Sequence, residues 1–293
     1  MDEELAALNS RGTWELVPRP PSTSIVTCRW VFSVKHNPDG TVARHKARLV
    51  ARGFTQTYGI DYSDTFSPVA RMSSIRILFS IAINKNWSLR QLDVKNAFLY
   101  GDLTEAVFME QPPGYVVQGE KMVCRLKKAI YGLKQSPREW FEKFSDIAKK
   151  GGFQRCTVDH SVFFRHTQTG GVVIMAVYVD DIILTGSDDQ GIHAAQTFLQ
   201  SHFVCRDMGR PRYFLGIEFA YRPQEVSLSQ RKYVLDLLQE TGQLGCKPES
   251  TPVELNPPYW DTSAPLLDDP TSYRRLVGKL IYLTVTRPIF PLQ

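Results

Sequence analysis

Strand-like and helix-like hydrophobic patterns follow one another along this chain of 293 residues. β-Branched and aromatic residues recur at strand spacing in residues 28–35 and 41–50, and the intervening NPDG is a turn signal, so the two runs predict a β-hairpin. On the second run Arg44, Lys46 and Arg48 occupy alternate positions and therefore share one face, with their charged groups about 6 to 7 Å apart. That spacing suits a polyphosphate.

The best defined helix signal lies in residues 136–153. Ser136 is a candidate N-cap, Pro137 falls at the first helical position, and Glu139 completes a capping box. Apolar side chains then recur on one face of the predicted helix, at Trp140, Phe144, Ile147 and Ala148. The glycine pair at 151–152 predicts where the helix ends.

The remaining patterns complete an alternation of strands and helices. In chain order they predict a strand at 87–93, the helix just described, strands at 159–166 and 171–185, a helix at 189–203 and a strand at 213–220. This β-α-β-β-α-β order is that of a ferredoxin-like sheet with helices on one face. Helical patterns at 230–242 and 269–286, joined by a proline-rich connector, predict that about the last 70 residues form a separate, mostly helical part.

Composition bounds the class of protein. A hydrophobic fraction of 43% allows a substantial core and predicts two or more subdomains. The apolar run VVIMAVYV falls well short of the roughly 20 residues of a membrane span, and the acidic start MDEELAALN is unlike a signal peptide. Five cysteines without a CxxC pair favour neither disulfides nor zinc. We therefore expect an intracellular location, cytoplasmic or nuclear, and no membrane partner.

Positive charge is concentrated in two blocks, although the net charge is only +5. Residues 121–138 carry six cations and no acid, and residues 29–54 carry six cations against one acid. Such blocks suit a polyanionic partner, and solvated charged faces are the alternative.

Two neighbouring acids, Asp180 and Asp181, interrupt the β-branched run at 172–184. Adjacent side chains of a strand point to opposite faces, so both acids serve one site only if the backbone bends there, as at a hairpin tip. If Asp93 ends the neighbouring strand, three carboxylates converge, and such a cluster becomes favourable when magnesium binds. Two magnesium ions about 3.5 to 4 Å apart would support polymerase chemistry. A turn or N-cap role is the alternative for the acid pair.

Several long motifs resemble one family. They are RWVFSVKHNPDGTVARHKARLVARGFTQTYGIDYSDTFSPVA, QLDVKNAFLYGDL, VCRLKKAIYGLKQSPREW, YVDD, YFLGIEF and YRRLVGKLIYLTVTRP. In this order they are similar to the reverse transcriptase domain of copia-type LTR retrotransposon Pol polyproteins, over about residues 14–288. The resemblance implies RNA-directed DNA synthesis on an RNA or DNA template with a primer, from deoxynucleoside triphosphates. It leaves the oligomeric state unknown.

The fold that the resemblance implies is an α+β right-hand polymerase with fingers, a ferredoxin-like palm and a helical thumb, truncated at the C-terminus. The implied divisions are 1–23 as an N-terminal extension, 24–86 and 113–135 as fingers, 87–112 and 136–222 as palm, and 223–293 as thumb and truncated start of a connection segment.

The resemblance also assigns the catalytic groups. Carried over by position, Asp93, Asp180 and Asp181 become the ligands of two Mg²⁺ ions, with Mn²⁺ as a substitute. Tyr178 lies beside them in YVDD. Phe98 matches an aromatic steric gate that favours deoxynucleotides, and ordinary core packing is its alternative.

Further residues are matched to substrate and primer contacts. Lys46 and Arg48 correspond to cations that contact the triphosphate. Gln135 resembles a glutamine that touches nucleotide and template, with a plain position before a helix as its alternative. Leu215 and Gly216 match the primer grip, although this segment also reads as an ordinary strand.

Two departures from the family pattern leave alternatives open. Arg206 stands where the family more usually has lysine, and arginine is a poor general acid. The match also breaks after Pro288, and we find no protease, integrase or RNase H signature. A truncated, weak or inactive transposon remnant that still binds nucleic acid is therefore the alternative, and a metal-dependent nuclease is the third hypothesis.

Overall fold

The computed structural model describes residues 1–21, 23–36, 41–116, 122–222, 225–249 and 267–286. Its helices are α1 (Asp2–Ser10), α2 (Met72–Asn84), α3 (Ser136–Lys150), α4 (Asp189–His202), α5 (Arg231–Glu240) and α6 (Pro270–Leu283). Its strands are β1 (Trp14–Pro18), β2 (Ile25–Val26), β3 (Cys28–His36), β4 (Val42–Ala51), β5 (Ser88–Val94), β6 (Asp102–Met109), β7 (Met122–Lys128), β8 (Gln154–Arg155), β9 (Val162–His166), β10 (Val172–Tyr178), β11 (Asp181–Gly186), β12 (Cys205–Gly209), β13 (Tyr213–Phe214), β14 (Ile217–Arg222) and β15 (Glu225–Ser229). None of these helices is long and apolar enough to cross a bilayer. The chain divides into two compact units, Met1–Gly209 and Arg210–Gln293.

The first unit is built on a six-stranded sheet with the order β12-β5-β11-β10-β9-β8. Neighbouring strands run antiparallel. Strand alternation divides each strand between two faces. On β5, Leu92 and Val94 enter the main core with the apolar faces of α3 and α4, so both helices cover the same face of the sheet. Gln91 and Asp93 alternate with them and lie on the opposite face.

The predicted last strand of this sheet is wrong. The pattern placed it at residues 213–220, whereas the strand that pairs with β5 is β12, and residues 213–220 belong to the second unit. β12 reads CRDMG, lies at the edge of the sheet and is largely exposed. An edge strand with little burial has no hydrophobic alternation to detect, which explains the error.

The predicted hairpin at 28–50 is confirmed. β3 and β4 pair antiparallel, with Lys46 opposite Ser33 and Arg48 opposite Val31. The predicted NPDG turn lies outside the described residues. Beside the hairpin, a four-stranded sheet has the order β1-β7-β6-β2, and its apolar side chains form a second core with the inner end of the hairpin and with Leu5 and Leu8 of α1.

The predicted start of α3 needs one correction. Ser136 does not cap the helix, because Gln135 is the N-cap residue and its backbone is already near the helical region, with φ −86° and ψ −9°. The Ser136 hydroxyl instead donates to the Ile130 carbonyl oxygen at 2.5 Å. No side-chain capping bond is made, so the predicted capping box with Glu139 is also wrong. The helix end is as predicted, with Gly151 as C-cap.

Glu139 is instead a buried acid, and one of its oxygens accepts no hydrogen bond within the described part of the chain, although Arg138 lies 4.0 Å away. Its side chain is 4% exposed, and Oε1 has no hydrogen-bond partner among the described residues. Burial, and then the neighbouring Glu142 carboxylate, raise the pKa of Glu139 from 4.5 to about 7, although Arg138 opposes the shift. Ionisation of this side chain therefore destabilises the folded state.

We predict that Glu139→Gln removes part of the pH dependence of stability. The folded chain keeps this proton up to about pH 7, whereas the unfolded chain loses it near 4.5. The protonated side chain therefore makes its whole contribution to the free energy of unfolding below pH 4.5. This contribution, at most about 3 kcal/mol, is lost as the pH rises through 7. Urea unfolding from pH 4 to 8 measures this change in the free energy of unfolding. The exposed Glu110→Gln should leave the profile unchanged, and a profile for Glu139→Gln that matches the wild type would contradict the assignment.

The second unit combines a three-stranded sheet, β13-β14-β15, with α5 and α6. Both predicted helices are confirmed. The predicted single strand at 213–220 is wrong, because Leu215 and Gly216 have φ of 49° and 76° and form a two-residue turn between β13 and β14. The Leu215 carbonyl oxygen accepts a hydrogen bond from the Tyr282 hydroxyl. In the last 70 or so residues, the described elements are the short strand β15 and the helices α5 and α6.

Candidate active site

The acid pair lies at the tip of the hairpin formed by β10 and β11, as the sequence predicts. Tyr178 pairs with Asp181, which leaves Val179 and Asp180 as a two-residue turn. Val179 has a φ of 53°, a left-handed conformation that is rare for a β-branched residue. Its carbonyl oxygen accepts a hydrogen bond from Nε1 of the buried Trp140 at 2.7 Å, which holds the turn against α3.

Asp93 meets this tip from the neighbouring strand. It lies directly opposite Asp181 in the pairing of β5 with β11, which places the two Cα atoms about 4.5 to 5.5 Å apart. The Val94 amide also donates to the Asp180 carbonyl oxygen at 2.7 Å. The expected convergence of three distant aspartates is therefore present in the backbone. Tyr178 and Arg206 extend the same row across the sheet, opposite Asp181 and Asp93 respectively.

The three carboxylates influence one another electrostatically. Burial raises the pKa of Asp180, and the negative charge of Asp93 raises it further. Burial also raises the pKa of Asp181, a hydrogen bond from Gln91 opposes this, and the charges of Asp180 and Asp93 add to the rise. Such a cluster of acids is unfavourable without a cation, and its hard oxygen donors suit a divalent ion such as magnesium.

The side chains are not gathered around one point. Among the described residues no group of three or more His, Cys, Asp or Glu side chains has the arrangement needed to hold a metal ion. The donor types and the backbone positions of the three aspartates fit the expected ions. Their carboxylates would have to close around the ions on binding.

A cavity of about 560 Å³ brings the acids and the predicted phosphate-binding cations together. Asp93, Asp180, Lys46 and Arg48 all line it. Burial, and then the charge of Arg48, lower the pKa of Lys46. The Arg48 guanidinium lies 5.2 Å from the ring centre of Tyr131, which also lines the cavity. The cavity thus brings carboxylates and cations together, and the positive charges of Arg48 and Lys46 act directly on Asp180.

The predicted gate, Phe98, lies in a short 3-10 helix (Ala97–Tyr100) directly after β5. Its half-buried ring packs edge-to-face on Tyr131, with 4.9 Å between ring centres. Tyr131 itself faces the cavity. Phe98 therefore lies behind a cavity-lining aromatic ring, which is compatible with a gate and also with core packing.

Gln135 does not reach the cavity in this structure. Its side chain is fully buried, where Oε1 accepts from Gln56 at 3.1 Å and Nε2 donates to the Asp61 carbonyl oxygen at 3.3 Å. No surface of this side chain is free for the predicted contact with a nucleotide. The arrangement instead favours the alternative, a position before a helix, and the side chain also joins the helix start to the loop around Asp61. Leu215 and Gly216 form the hairpin turn of the second unit described above.

Sequence reasoning missed four residues at this site. Tyr131 comes from the loop before α3, and only long-range packing places it in the cavity. Glu3 and Glu4 of α1 line the same cavity, although the sequence suggested no more than an N-terminal extension. Gln91 was detectable, because it lies two residues before Asp93 and therefore on the same face of β5.

The sequence of this chain is similar to those of known proteins. A sequence profile of the family "Reverse transcriptase (RNA-dependent DNA polymerase)" matches residues 11–255. The retrovirus-related Pol polyprotein from transposon RE1 of Arabidopsis thaliana is 46% identical over 98% of this chain and 20% of its own length. The corresponding protein from transposon TNT 1-94 of Nicotiana tabacum is 37% identical over 98% of the chain and 22% of its length.

A solved foamy viral protease-reverse transcriptase in complex with double-stranded DNA is similar over 81% of this chain and 37% of its own, at 14% identity and a TM-score of 0.39, which is too low to support an inference. The chain spans about a fifth of the length of the polyproteins it matches. The match over nearly the whole chain does not favour an inactive remnant. The expected resemblance is confirmed, and the chain belongs to the reverse transcriptase family, as the reverse transcriptase domain of copia-type retrotransposon Pol polyproteins.

Proposed function

We propose that this chain adds deoxynucleotides to a primer 3′-hydroxyl by two-metal phosphoryl transfer, directed by an RNA or DNA template. The observation that carries the proposal is the meeting of Asp93, Asp180 and Asp181 beside a cavity that Lys46 and Arg48 also line. The carboxylates would hold cations, and Lys46 and Arg48 would hold a triphosphate. A nucleotide bound between them would have its reacting phosphate near the acids.

The three aspartates would hold two Mg²⁺ ions, and Mn²⁺ would substitute for them. When bound, a pair of such ions activates the attacking hydroxyl and stabilises the leaving pyrophosphate. The chain's own contribution is to position the ligands. The Val94 amide and the Trp140 indole hold the backbone of the turn, so Asp180 and Asp181 are presented together at the sheet end.

The remaining proposed contacts surround the incoming nucleotide. Lys46 and Arg48 neutralise the triphosphate, Phe98 limits space at the sugar, and Tyr178 lies beside the acids on the same row of the sheet. Leu215 and Gly216 present a tight backbone turn that would hold the primer.

In the right-hand description, the first unit supplies the fingers and most of a ferredoxin-like palm, and the second supplies the end of the palm, with the primer grip, and the thumb. The boundaries between the N-terminal extension, fingers, palm and thumb, placed after residues 23, 86, 112, 135 and 222, belong to the same proposal. The template-primer duplex is the expected partner, because the basic blocks at 29–54 and 121–138 suit its phosphates.

A primer-extension assay on the purified chain tests the proposal. The assay uses a labelled DNA primer on an RNA template with all four deoxynucleoside triphosphates, first with Mg²⁺ and then with Mn²⁺. Stepwise extension is expected. Binding of the template-primer without extension under either metal would support the inactive remnant, and cleavage of the template without extension would support the nuclease.

A further inference from the structure

We propose that Gln91 is a positioning residue that fixes the Asp181 carboxylate in the orientation needed to bind a divalent cation. This inference rests on the proposed function and extends it to a residue outside the set of metal ligands. Gln91 touches neither substrate nor reacting atoms in this role. It acts through Asp181.

The contact is direct and well defined. Nε2 of Gln91 donates a hydrogen bond to Oδ1 of Asp181 at 3.0 Å. In the strand pairing Gln91 lies opposite Ile183, two residues along from Asp181, so the two side chains meet diagonally on one face. Asp93 lies on the same face of β5, two residues beyond Gln91.

Burial makes this donor rigid. Gln91 is 7% exposed, in a sheet region where the facing Ile183 is fully buried. A long amide side chain on an open surface would sample many rotamers, whereas here packing limits it. The terminal torsion of an aspartate is broad and roughly two-fold. A fixed donor on Oδ1 therefore selects one orientation of the Asp181 carboxylate and leaves Oδ2 for another partner.

The chemistry of the donor also suits the task. An amide carries no charge, so it orients a carboxylate without replacing the cation that the carboxylate would bind. A lysine or arginine at this position would neutralise the acid and compete with the metal. Some residues contact a metal ligand without touching the metal itself. Their removal typically lowers metal affinity or activity by about 10- to 100-fold.

A purely structural role is the competing explanation, and the chain offers a matched control for it. Gln196 on α4 is also buried, at 8% exposure, and its Nε2 donates to Oδ2 of Asp207 at 2.9 Å. The two pairs share residue types, a buried glutamine and a similar donor distance, although Asp207 is exposed and Asp181 is half-buried. Asp181 pairs with Asp93, whereas Asp207 lies opposite Leu92 and therefore on the other face of the sheet.

The test compares Gln91→Met with Gln196→Met, since methionine keeps the length of the side chain but removes the donor. Mn²⁺ affinity is measured by electron paramagnetic resonance with a dideoxy-terminated primer on its template and the next deoxynucleotide, so that no turnover occurs. We expect Gln91→Met to weaken Mn²⁺ binding about 10- to 100-fold, and Gln196→Met to leave it unchanged. Higher Mn²⁺ concentration should restore extension by Gln91→Met but not by Asp181→Asn.

Gln91→Asn is the second variant, because it retains an amide but withdraws it by one methylene from Asp181. It provides the same comparison if the methionine variant does not fold, as judged by its melting temperature. Wild-type Mn²⁺ affinity in a folded Gln91 variant would overturn the inference. If Asp181→Asn also left Mn²⁺ binding unchanged, the proposed metal site itself would be wrong, so the two failures are distinguishable.

Discussion

Replacing Asp180 by asparagine is expected to abolish primer extension while the chain remains folded. Asparagine keeps the size of the side chain but removes the charge that would hold a cation. Without the cation, the transition state loses several kcal/mol of stabilisation, which corresponds to a rate of extension about 1,000-fold lower. The backbone bond from Val94 to residue 180 does not involve the side chain and should persist. Single-turnover extension on an RNA template measures the effect.

The same substitution makes a prediction about stability. Burial and Asp93 both raise the pKa of Asp180, so its negative charge is unfavourable in the folded, metal-free chain. Asp180→Asn should therefore melt no lower than the wild type at pH 8 without metal. Asp146→Asn is the control, because Asp146 is exposed on the outer side of α3, and it should extend normally. Full extension by Asp180→Asn would exclude Asp180 from the metal site.

Replacing Phe98 by valine should raise the incorporation of ribonucleotides relative to deoxynucleotides. A smaller side chain next to the sugar relieves a collision with the 2′-hydroxyl, and loss of such a repulsive element is expected to change the selectivity about 10- to 100-fold. Phe98 packs on Tyr131, a cavity-lining residue, so the freed space would open toward the nucleotide. Incorporation of single ribonucleotides and deoxynucleotides by the same preparation measures the ratio.

Phe98→Tyr separates the gate from simple packing. Tyrosine keeps the ring, so it should retain the wild-type selectivity. If Phe98 only fills the core, Phe98→Val would lower the free energy of unfolding by about 1 to 3 kcal/mol and so lower the melting temperature. The ratio of ribonucleotide to deoxynucleotide incorporation would stay unchanged. That outcome would assign Phe98 to the core.

Local sequence signals predicted the part of the site that depends on local structure. An acid pair inside a β-branched run favours a bend, and the hairpin with its turn at Val179 and Asp180 provides it. The buried face of α3 was readable from its 3.6-residue spacing, as Trp140 and Phe144 show. Strand pairing then brought Asp93 to Asp181, because β5 and β11 run antiparallel, so the end of β5 lies beside the start of β11.

Features that depend on tertiary contacts were not predictable. Ser136 has the sequence of a capping residue, but the carbonyl oxygen of Ile130 competes successfully for its hydroxyl. The resemblance assigned Gln135 a contact with the nucleotide, yet its side chain is buried and bonds to Gln56, which is distant in sequence. β12 has no apolar alternation because it lies at an edge. In each case the outcome depended on a contact, or on a position in the sheet, that the local pattern does not encode.

The central claim is that Asp93, Asp180 and Asp181 hold a pair of divalent cations. Anomalous diffraction from Mn²⁺ in crystals of the chain with dideoxy-terminated primer, template and incoming deoxynucleotide tests it most directly. We predict two peaks about 3.5 to 4 Å apart, bridged by these three carboxylates and the triphosphate. Peaks that lie elsewhere, or a nucleotide bound in the cavity with no metal against the three aspartates, would contradict it.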